Sequence, residues 1–259
     1  MSIITLTTDW HNDDFYTGAI KGLLYSKCPD ITVVDITHKI DSFKYAQAAF
    51  VLRNAFSFYP KGTIHLVGIN SDPTTEHPPI CLKIKGQFFL GTASGIFSLM
   101  FTEKPDKIVK IEDTDTIKNS SFPELTIFAE AASILANGGT MEQLGPELPS
   151  QYRHVQFMPA IDENDITGNV IYIDSYQNII TNISKELFNQ VGKKRKFIIT
   201  VKSETYSTNK LSKNYSEVEV GEILALFNSL GLLEIAIRNG RIAELIDIKI
   251  NSPVTIKFK

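Results

Sequence analysis

A cluster of polar side chains follows the first apolar segment of the sequence. Residues 3–8 are mostly apolar or β-branched, which is typical of a buried strand, and directly after them come Asp9, His11, Asn12, Asp13 and Asp14. Three uses fit such a cluster. It could hold a divalent cation through its oxygen atoms, grip the two hydroxyls of a ribose, or cap the following helix. Spacing alone leaves these alternatives open.

Strand and helix patterns alternate through the first half of the chain. Apolar segments predict strands at 3–8, 31–36, 63–69, 80–84, 87–91 and 107–111. Helical spacing predicts a helix after Asp14, another capped by Asp41 or Ser42, and a third over residues 124–136. This order predicts an α/β domain with a largely parallel central sheet. Ligands bind beyond the carboxyl ends of the strands in such sheets, which is where the polar cluster lies.

The composition changes after residue 144. Three prolines and the acidic run 162–165 predict a linker, and we place the boundary near residue 160, which gives domains 1–160 and 161–259. Beyond the linker, β-branched segments predict strands at 169–173, 179–183, 197–201, 223–227, 232–237 and 254–258, with a helix at 185–191. Turn signals at this spacing predict a small antiparallel β-barrel or sandwich.

Composition and charge argue against several classes of function. A net charge of −3 over 259 residues gives no reason to expect a nucleic acid or an anionic membrane as a partner. The two cysteines form neither a disulfide framework nor a metal-ligand spacing. The sequence shows no signal peptide and no apolar run long enough for a bilayer, so we expect a cytoplasmic protein.

Several segments carry a family resemblance. Residues 8–22 resemble the opening T-D-F-G-x-x-D-x-Y-V-G-x-M-K-G of the S-adenosylmethionine hydroxide adenosyltransferases, the water-using relatives of the bacterial fluorinase and chlorinase. Residues 28–38 and 60–65 continue the similarity, and residues 173–182 resemble the family's I-D-x-F-G-N-x-x-T-N. The stretch from Tyr215 to Gly231, followed by Leu233-Glu234-Ile235-Ala236, resembles F-A-D-…-G-E-…-N-S-x-G-x-L-E-I-A. The matches keep the family's order and cover nearly the whole chain.

The resemblance implies a fluorinase-like fold, an α/β domain followed by a small antiparallel β-barrel. It also implies a homotrimer, with each active site between the first domain of one subunit and the second domain of a neighbour. The implied substrate is S-adenosylmethionine, with no metal and no further cofactor. These implications are expectations that the structure can test.

The resemblance also implies binding roles for matching residues. Asp9 matches the aspartate that holds the ribose hydroxyls, and Phe43 falls where the halogenases place an aromatic ring against the ribose. Asp14 and Asp174 match carboxylates near the methionine amino group, and Ser229 matches a donor to its carboxylate.

The adenine roles fall in the second domain. Tyr176 and Asn178 match the aromatic ring and the amide that stack on and hydrogen-bond the adenine, and Tyr215 matches another aromatic wall. The alternative for the two tyrosines is a place in the barrel core, and the alternative for Asn178 is an ordinary turn residue.

The implied reaction is an in-line displacement by water at the ribose C5′, which releases methionine as a neutral leaving group. The family orients its water with an Asp-Arg-His set, and an ungapped alignment replaces these residues by Asn70, His77 and Pro123. An asparagine takes up no proton in any useful pH range, and proline has no polar side chain. Halogenation is not expected, because Glu124 is an anion that would repel a halide there.

Two substitutes could handle the water. The imidazole of His77 is a side chain of the kind that can act as the base, and Asp72 precedes a proline as the family's aspartate does. On spacing alone, both also fit ordinary loop residues. The sequence therefore predicts an S-adenosylmethionine hydrolase. The alternatives are a non-catalytic S-adenosylmethionine or adenosine binder and an adenosyl transferase to another nucleophile.

Overall fold

A computed structural model describes residues 2–11, 14–112, 121–149 and 158–259. The chain divides into two compact units, Met1–Val155 and Gln156–Lys259. Within the described ranges, no helix is both long and apolar enough to cross a membrane.

A six-stranded mixed sheet forms the centre of the first unit. Its strands are β1 (Ser2–Thr8), β2 (Ile31–Thr37), β3 (Ile64–Gly68), β4 (Pro79–Ile84), β5 (Gln87–Thr92) and β6 (Lys107–Lys110). The spatial order is β2-β1-β3-β5-β4-β6. The first four strands in that order pair in parallel, whereas β4 runs antiparallel to both of its neighbours.

Helices cover both faces of this sheet, as parallel strands require. They are α1 (Tyr16–Lys27), α2 (Tyr45–Ala55), α3 (Ile96–Met100) and α4 (Ala129–Ala136). One core packs Leu6 of β1 with Leu24 of α1 and Ala132 of α4. The other packs Val67 of β3 with Leu52 of α2. These two cores hold the helices against opposite faces of the sheet.

The helices begin close to the predicted positions, but the capping expected from the sequence is not seen. Helix α1 begins after Phe15 with no acid in its first turn, so Asp14 does not cap it, and Asp13 lies outside the described residues. Helix α2 begins after Lys44 with no side-chain cap, because Phe43 takes a left-handed conformation (φ 65°) that separates Asp41 and Ser42 from the helix. The predicted helix over residues 124–136 is confirmed in its extent, and its first five residues, Glu124–Phe128, form a π-helical turn ahead of α4.

The second unit is a nearly closed antiparallel barrel. Its strands are β7 (Ala160–Ile161), β8 (Asp165–Ile173), β9 (Ile179–Ser184), β10 (Phe197–Val201), β11 (Ser203–Thr208), β12 (Ile223–Phe227), β13 (Leu232–Ile237) and β14 (Pro253–Phe258). The order is β11-β10-β14-β8-β9-β13-β12, with β7 beside β8. A bridge from Leu211 to Ala225 joins the chain after β11 to β12 and brings the two edges together.

Side chains alternate along the barrel strands. Val170, Ile179, Ile235 and Ile256 are buried in the barrel core, together with Phe188 of α5 (Lys185–Gly192). The sequence missed β7, the polar strand β11 and the short helix α6 (Ile242–Leu245). Strand β11 reads Ser-Glu-Thr-Tyr-Ser-Thr, so it lacks the apolar pattern that marks the other strands.

Candidate functional site

Asp9 lies where the carboxyl ends of β1 and β3 meet. Its backbone N–H donates to the carbonyl of Gly68, the last residue of β3 (3.3 Å). Burial raises the pKa of the Asp9 carboxyl, although the backbone N–H groups of Asn70 and Phe43 favour its ionised form. The structure therefore brings three of the predicted site residues, Asp9, Phe43 and Asn70, to one edge of the sheet.

Left-handed backbone conformations concentrate at this edge. His11, Phe43 and Asn70 have φ angles of 58°, 65° and 46°. Such conformations cost energy in residues other than glycine, and they cluster at functional sites. The Asn70 amide donates to the hydroxyl of Tyr45 in α2 (2.5 Å), and the Phe43 ring is 68% exposed. The ring is thus free to contact a ligand.

Aromatic rings pack beside Asp9. The Trp10 ring stacks on His38 (6.2 Å between centroids), meets Phe122 edge-on (5.4 Å) and lies 6.0 Å from Tyr16. His38 in turn contacts the Thr8 hydroxyl through Nδ1 (2.7 Å). These contacts fix the residues on both sides of the Asp9 carboxylate.

Glu124 is the other acid at this edge. It is 5% exposed at the first position of the π-helical turn. A Cβ added to Gly68 would lie 3.1 Å from Glu124 Oε1 and 3.2 Å from Thr8 Cγ2, so glycine leaves the carboxyl room beside β3. Burial raises the pKa of Glu124 and the Asp9 charge raises it further, while Ser71 and Trp10 favour the ionised form.

The other predicted residues of this unit are exposed. His77 lies in the loop between β3 and β4, with Nδ1 3.1 Å from the Ala93 carbonyl and its backbone N–H on Thr74 Oγ1 (2.9 Å). Asp72 is exposed in the same loop, and Asp14 is exposed just before α1. Asn70 and Phe43 therefore contact Asp9 through their backbone N–H groups, whereas the His77 ring contacts the Ala93 carbonyl.

A cation site at Asp9 gains no support from the described ranges. No group of three or more His, Cys, Asp or Glu side chains there is placed to hold a metal ion. Asp13, one of the acids considered from the sequence, lies outside those ranges.

Asp174 organises the turn between β8 and β9 in the second unit. Its Oδ1 accepts from the backbone N–H groups of Tyr176 (2.9 Å) and Asn178 (2.8 Å), and its Oδ2 accepts from the Asn178 amide (3.1 Å). Gln177 closes the turn with a φ of 65°. One carboxylate therefore holds in place both residues predicted to contact the adenine.

The two tyrosines do not lie in the barrel core. Tyr176 is 75% exposed and Tyr215 is 46% exposed. Apolar rings held at the surface by ordered turns are available to stack on a base. The alternative that they fill the core is wrong, because the inward positions of β8 and β9 are taken by aliphatic side chains such as Val170 and Ile179.

A buried acid supports Tyr215. The Tyr215 hydroxyl donates to Oε1 of Glu234 on β13, and Glu234 Oε2 accepts from the Asn228 amide (3.1 Å). Burial raises the pKa of Tyr215, and the charges of Glu234 and Asp174 add to the effect, so Asp174 lies near this ring.

Ser229 is exposed in the turn between β12 and β13. Its neighbour Asn228 accepts from the N–H groups of Leu230 (3.0 Å) and Leu232 (3.2 Å). Asn228 therefore links this turn to Tyr215 through Glu234.

Sequence reasoning placed Glu124 near the nucleophile only through the family resemblance, and it missed the buried acid Glu234 as a site residue. Glu124 opens a predicted helix, where an acid is the usual partner of the helix dipole. Glu234 alternates with the core residues Leu233 and Ile235, so its position predicts only an outward-facing side chain. In both cases the signal that was present, a lone acid in an apolar segment, has an ordinary explanation.

Comparisons with known proteins find relatives of both domains of this chain. Residues 4–145 match the SAM hydroxide adenosyltransferase N-terminal domain, and residues 168–255 match the C-terminal domain of that name. A relative from Methanocaldococcus jannaschii named (R)-S-adenosyl-L-methionine hydrolase is 32% identical over 91% of this chain and 88% of its own length. A protein from Actinopolyspora mzabensis named fluorinase is 24% identical over 90% of each chain.

A solved structure has the same fold. The crystal structure of a conserved protein from Thermotoga maritima aligns with a TM-score of 0.86 and 26% identity, covering 99% of this chain and 100% of the other. The two domain matches together span well over half of the sequence. The chain therefore belongs to the SAM hydroxide adenosyltransferase family.

Proposed function

We propose that this protein hydrolyses S-adenosylmethionine to adenosine and methionine, with water as the nucleophile at the ribose C5′. The observation that carries the proposal is the grouping of Asp9 with Phe43 and Asn70 at the carboxyl edge of the sheet, in a chain of this family. Several relatives bear the hydrolase name, including one from Thermus thermophilus that is 26% identical over 99% of this chain.

The proposed binding roles follow the chemistry of each group. The Asp9 carboxylate accepts hydrogen bonds from the ribose hydroxyls beside the Phe43 ring, and Asp14 and Asp174 attract the methionine ammonium. Ser229 donates to the methionine carboxylate. Two exposed rings, Tyr176 and Tyr215, stack on the adenine while Asn178 hydrogen-bonds its edge. Asn178 is 7% exposed and held by Asp174, so its amide orientation is set before the ligand arrives.

The sulfonium makes this chemistry simple for the protein. The carbon–sulfur bond breaks with its electron pair going to a positively charged sulfur, so the leaving group is neutral methionine and needs no acid or metal. The protein has to hold the ribose still, place a water in line with the C5′–S bond and exclude other nucleophiles. A buried carboxylate on the ribose suits the first task.

We further propose a homotrimer whose active sites combine the first domain of one subunit with the second domain of a neighbour. The proposal rests on family membership and on the split of the candidate residues between two units. Light scattering of the purified protein should give three times the mass of the chain, whereas a monomer that turns over substrate would contradict this arrangement.

Asn70, Asp72 and His77 are the loop residues proposed from the sequence to handle the water. His77→Ala tests the imidazole separately from the Asp72 carboxylate and the Asn70 amide. A fall in kcat of about tenfold or more supports the imidazole as the base, since general-base catalysis contributes at least that much. An unchanged kcat removes His77 from the mechanism.

The second candidate is a protein that binds S-adenosylmethionine or adenosine without reacting it, which the changes at Asn70, His77 and Pro123 favour. Adenosyl transfer to another nucleophile is a third outcome. The test supplies each sulfonium epimer separately, because the relatives' name specifies the (R) form. Chromatography should show adenosine and methionine in equal amounts. Adenosine binding without turnover would support the binder, and a different adenosyl product would support transfer.

A further inference from the structure

Glu124 is a buried acid for which the proposed binding roles leave no task. Its carboxyl lies against Gly68 at the end of β3, the residue whose carbonyl accepts from the Asp9 N–H. Glu124 and Asp9 are thus neighbours at the edge where the proposed ribose site lies. Placing the buried carboxyl of Glu124 beside the half-buried carboxyl of Asp9 costs folding energy, and this cost points to a functional role.

The surroundings of Glu124 suit a bound water. Ser71 Oγ is buried and, within the ranges that the structure describes, has no hydrogen-bond partner of ordinary geometry. It nevertheless lies close enough to Glu124 to favour the ionised carboxylate, as does the Trp10 indole. A buried water typically makes about two to four hydrogen bonds to polar groups around it. The Glu124 carboxyl, the Ser71 hydroxyl and the Asp9 carboxyl are polar partners of the required kinds.

The backbone at Glu124 is also unusual. Residues Glu124–Phe128 form a π-helical turn, whereas the rest of the helix is α-helical. Such turns are rare and are frequently found at functional sites. Pro123 directly precedes this turn and has no polar side chain, so Glu124 is the first side chain of the segment that can accept a proton.

We propose that Glu124 is the catalytic base of the hydrolysis, a step that rests on the proposed function. In the proposed complex, Asp9 holds the ribose through its 2′ and 3′ hydroxyls, and Glu124, which lies beside Asp9, reaches the 5′ carbon of the same sugar through the bound water. In this role Glu124, rather than His77, holds the attacking water and accepts its proton.

The step balances without any other reactant. One O–H bond of the water breaks and its proton passes to the Glu124 carboxylate, while the water oxygen forms the new bond to C5′. The C5′–S bond breaks and leaves its electron pair on sulfur, which converts the sulfonium into the neutral thioether of methionine. Adenosine carries the new 5′ hydroxyl, and Glu124 returns its proton to solvent after the products leave.

The raised pKa of Glu124 agrees with this role, because a base is most effective when its pKa lies nearer the working pH. The ionisable group that faces it is Asp9, from the end of β1, and its other close neighbours Ser71 and Trp10 are neutral. The kcat of the wild type should therefore fall as the pH is lowered through the raised pKa.

Glu124→Gln tests the inference, with Glu130→Gln as the matched control. Glu130 lies in α4 of the same helical segment and pairs with Lys27 at the surface (2.7 Å). We expect Glu124→Gln to lower kcat by at least about a hundredfold, and to remove the acid limb of the pH profile that Glu124 contributes. Its Kd for adenosine, measured by calorimetry, should stay within about threefold of the wild type because Asp9 is unchanged. Glu130→Gln should behave as the wild type.

Thermal unfolding separates this loss from misfolding. Because the pKa of the Glu124 carboxyl is raised in the folded state, the free energy of unfolding decreases as the pH rises from the ordinary pKa of 4.5 through the raised value. Glutamine does not titrate, so the variant should be at least as stable as the wild type at neutral pH.

The outcomes separate the inference from the proposed function. A wild type that forms no adenosine overturns both. If the wild type is active and Glu124→Gln has a similar kcat, or keeps the acid limb of the pH profile, only the role of Glu124 is overturned. A structural role for Glu124 has a different signature. In that case Glu124→Gln unfolds at a lower temperature than the wild type, and Glu124→Asp recovers the melting temperature but neither the kcat nor the acid limb of the pH profile. This result would also overturn the role of Glu124 as the base.

Discussion

Asp9→Asn should abolish most of the adenosine affinity and with it the turnover of S-adenosylmethionine. The carboxylate accepts two hydroxyl hydrogen bonds in the proposed complex, and each bond to a charged acceptor contributes about 1.5–3 kcal/mol. Their loss predicts a rise of at least about a hundredfold in the Kd for adenosine. Isothermal titration calorimetry measures this directly, and deoxyadenosine lacking the 2′ hydroxyl should lose affinity for the wild type but not for the variant.

The pH dependence of binding gives a second readout of Asp9. Because burial raises the pKa of this carboxyl above its ordinary 3.8, the wild-type affinity should decline on acidification earlier than an exposed aspartate would allow. Asp106→Asn, at an exposed position ahead of β6, is the matched control and should leave the Kd unchanged. Equal affinity in Asp9→Asn and the wild type would show that the ribose binds elsewhere.

Tyr176→Ala should weaken adenosine binding without destabilising the fold. Stacking of a base on an aromatic ring contributes about 1–3 kcal/mol, which corresponds to roughly a five- to hundredfold rise in Kd. The ring is 75% exposed and its backbone is held by Asp174, so the melting temperature should stay the same. Tyr176→Phe keeps the ring and should retain the affinity.

Phe58→Ala is the matched control for this prediction. Phe58 is an aromatic residue of the first unit that is 87% exposed and has no proposed role in binding. Its removal should alter neither the Kd nor the melting temperature. An affinity of Tyr176→Ala equal to the wild type would place the adenine away from the turn between β8 and β9.

The sequence predicted the parts of the site that follow from strand ends and turns. A carboxylate directly after a buried strand, such as Asp9, lies at the edge of a parallel sheet for topological reasons. The segment from Asp174 to Asn178 separates two strand patterns, so its residues had to form a turn. The barrel also followed from the spacing of its strands, although the polar strand β11 did not.

The features that the sequence did not reveal depend on tertiary contacts. Capping by Asp14 or Asp41 was plausible locally, but α1 begins after Phe15 without a side-chain cap, and the left-handed Phe43 separates Asp41 from the start of α2. The burial of Glu124 arises because Gly68 of a strand distant in sequence leaves it room. No periodicity in residues 121–128 could show that contact, so the sequence placed Glu124 near the site only through the family resemblance and did not show that it is buried.

The central claim is that water attacks the ribose C5′ in this protein. A reaction of S-adenosylmethionine in water enriched in ¹⁸O, followed by mass spectrometry of both products, tests it most directly. We predict one ¹⁸O atom in the 5′ hydroxyl of adenosine and none in methionine. Unlabelled adenosine, label in the methionine, or no adenosine from either sulfonium epimer would contradict the claim.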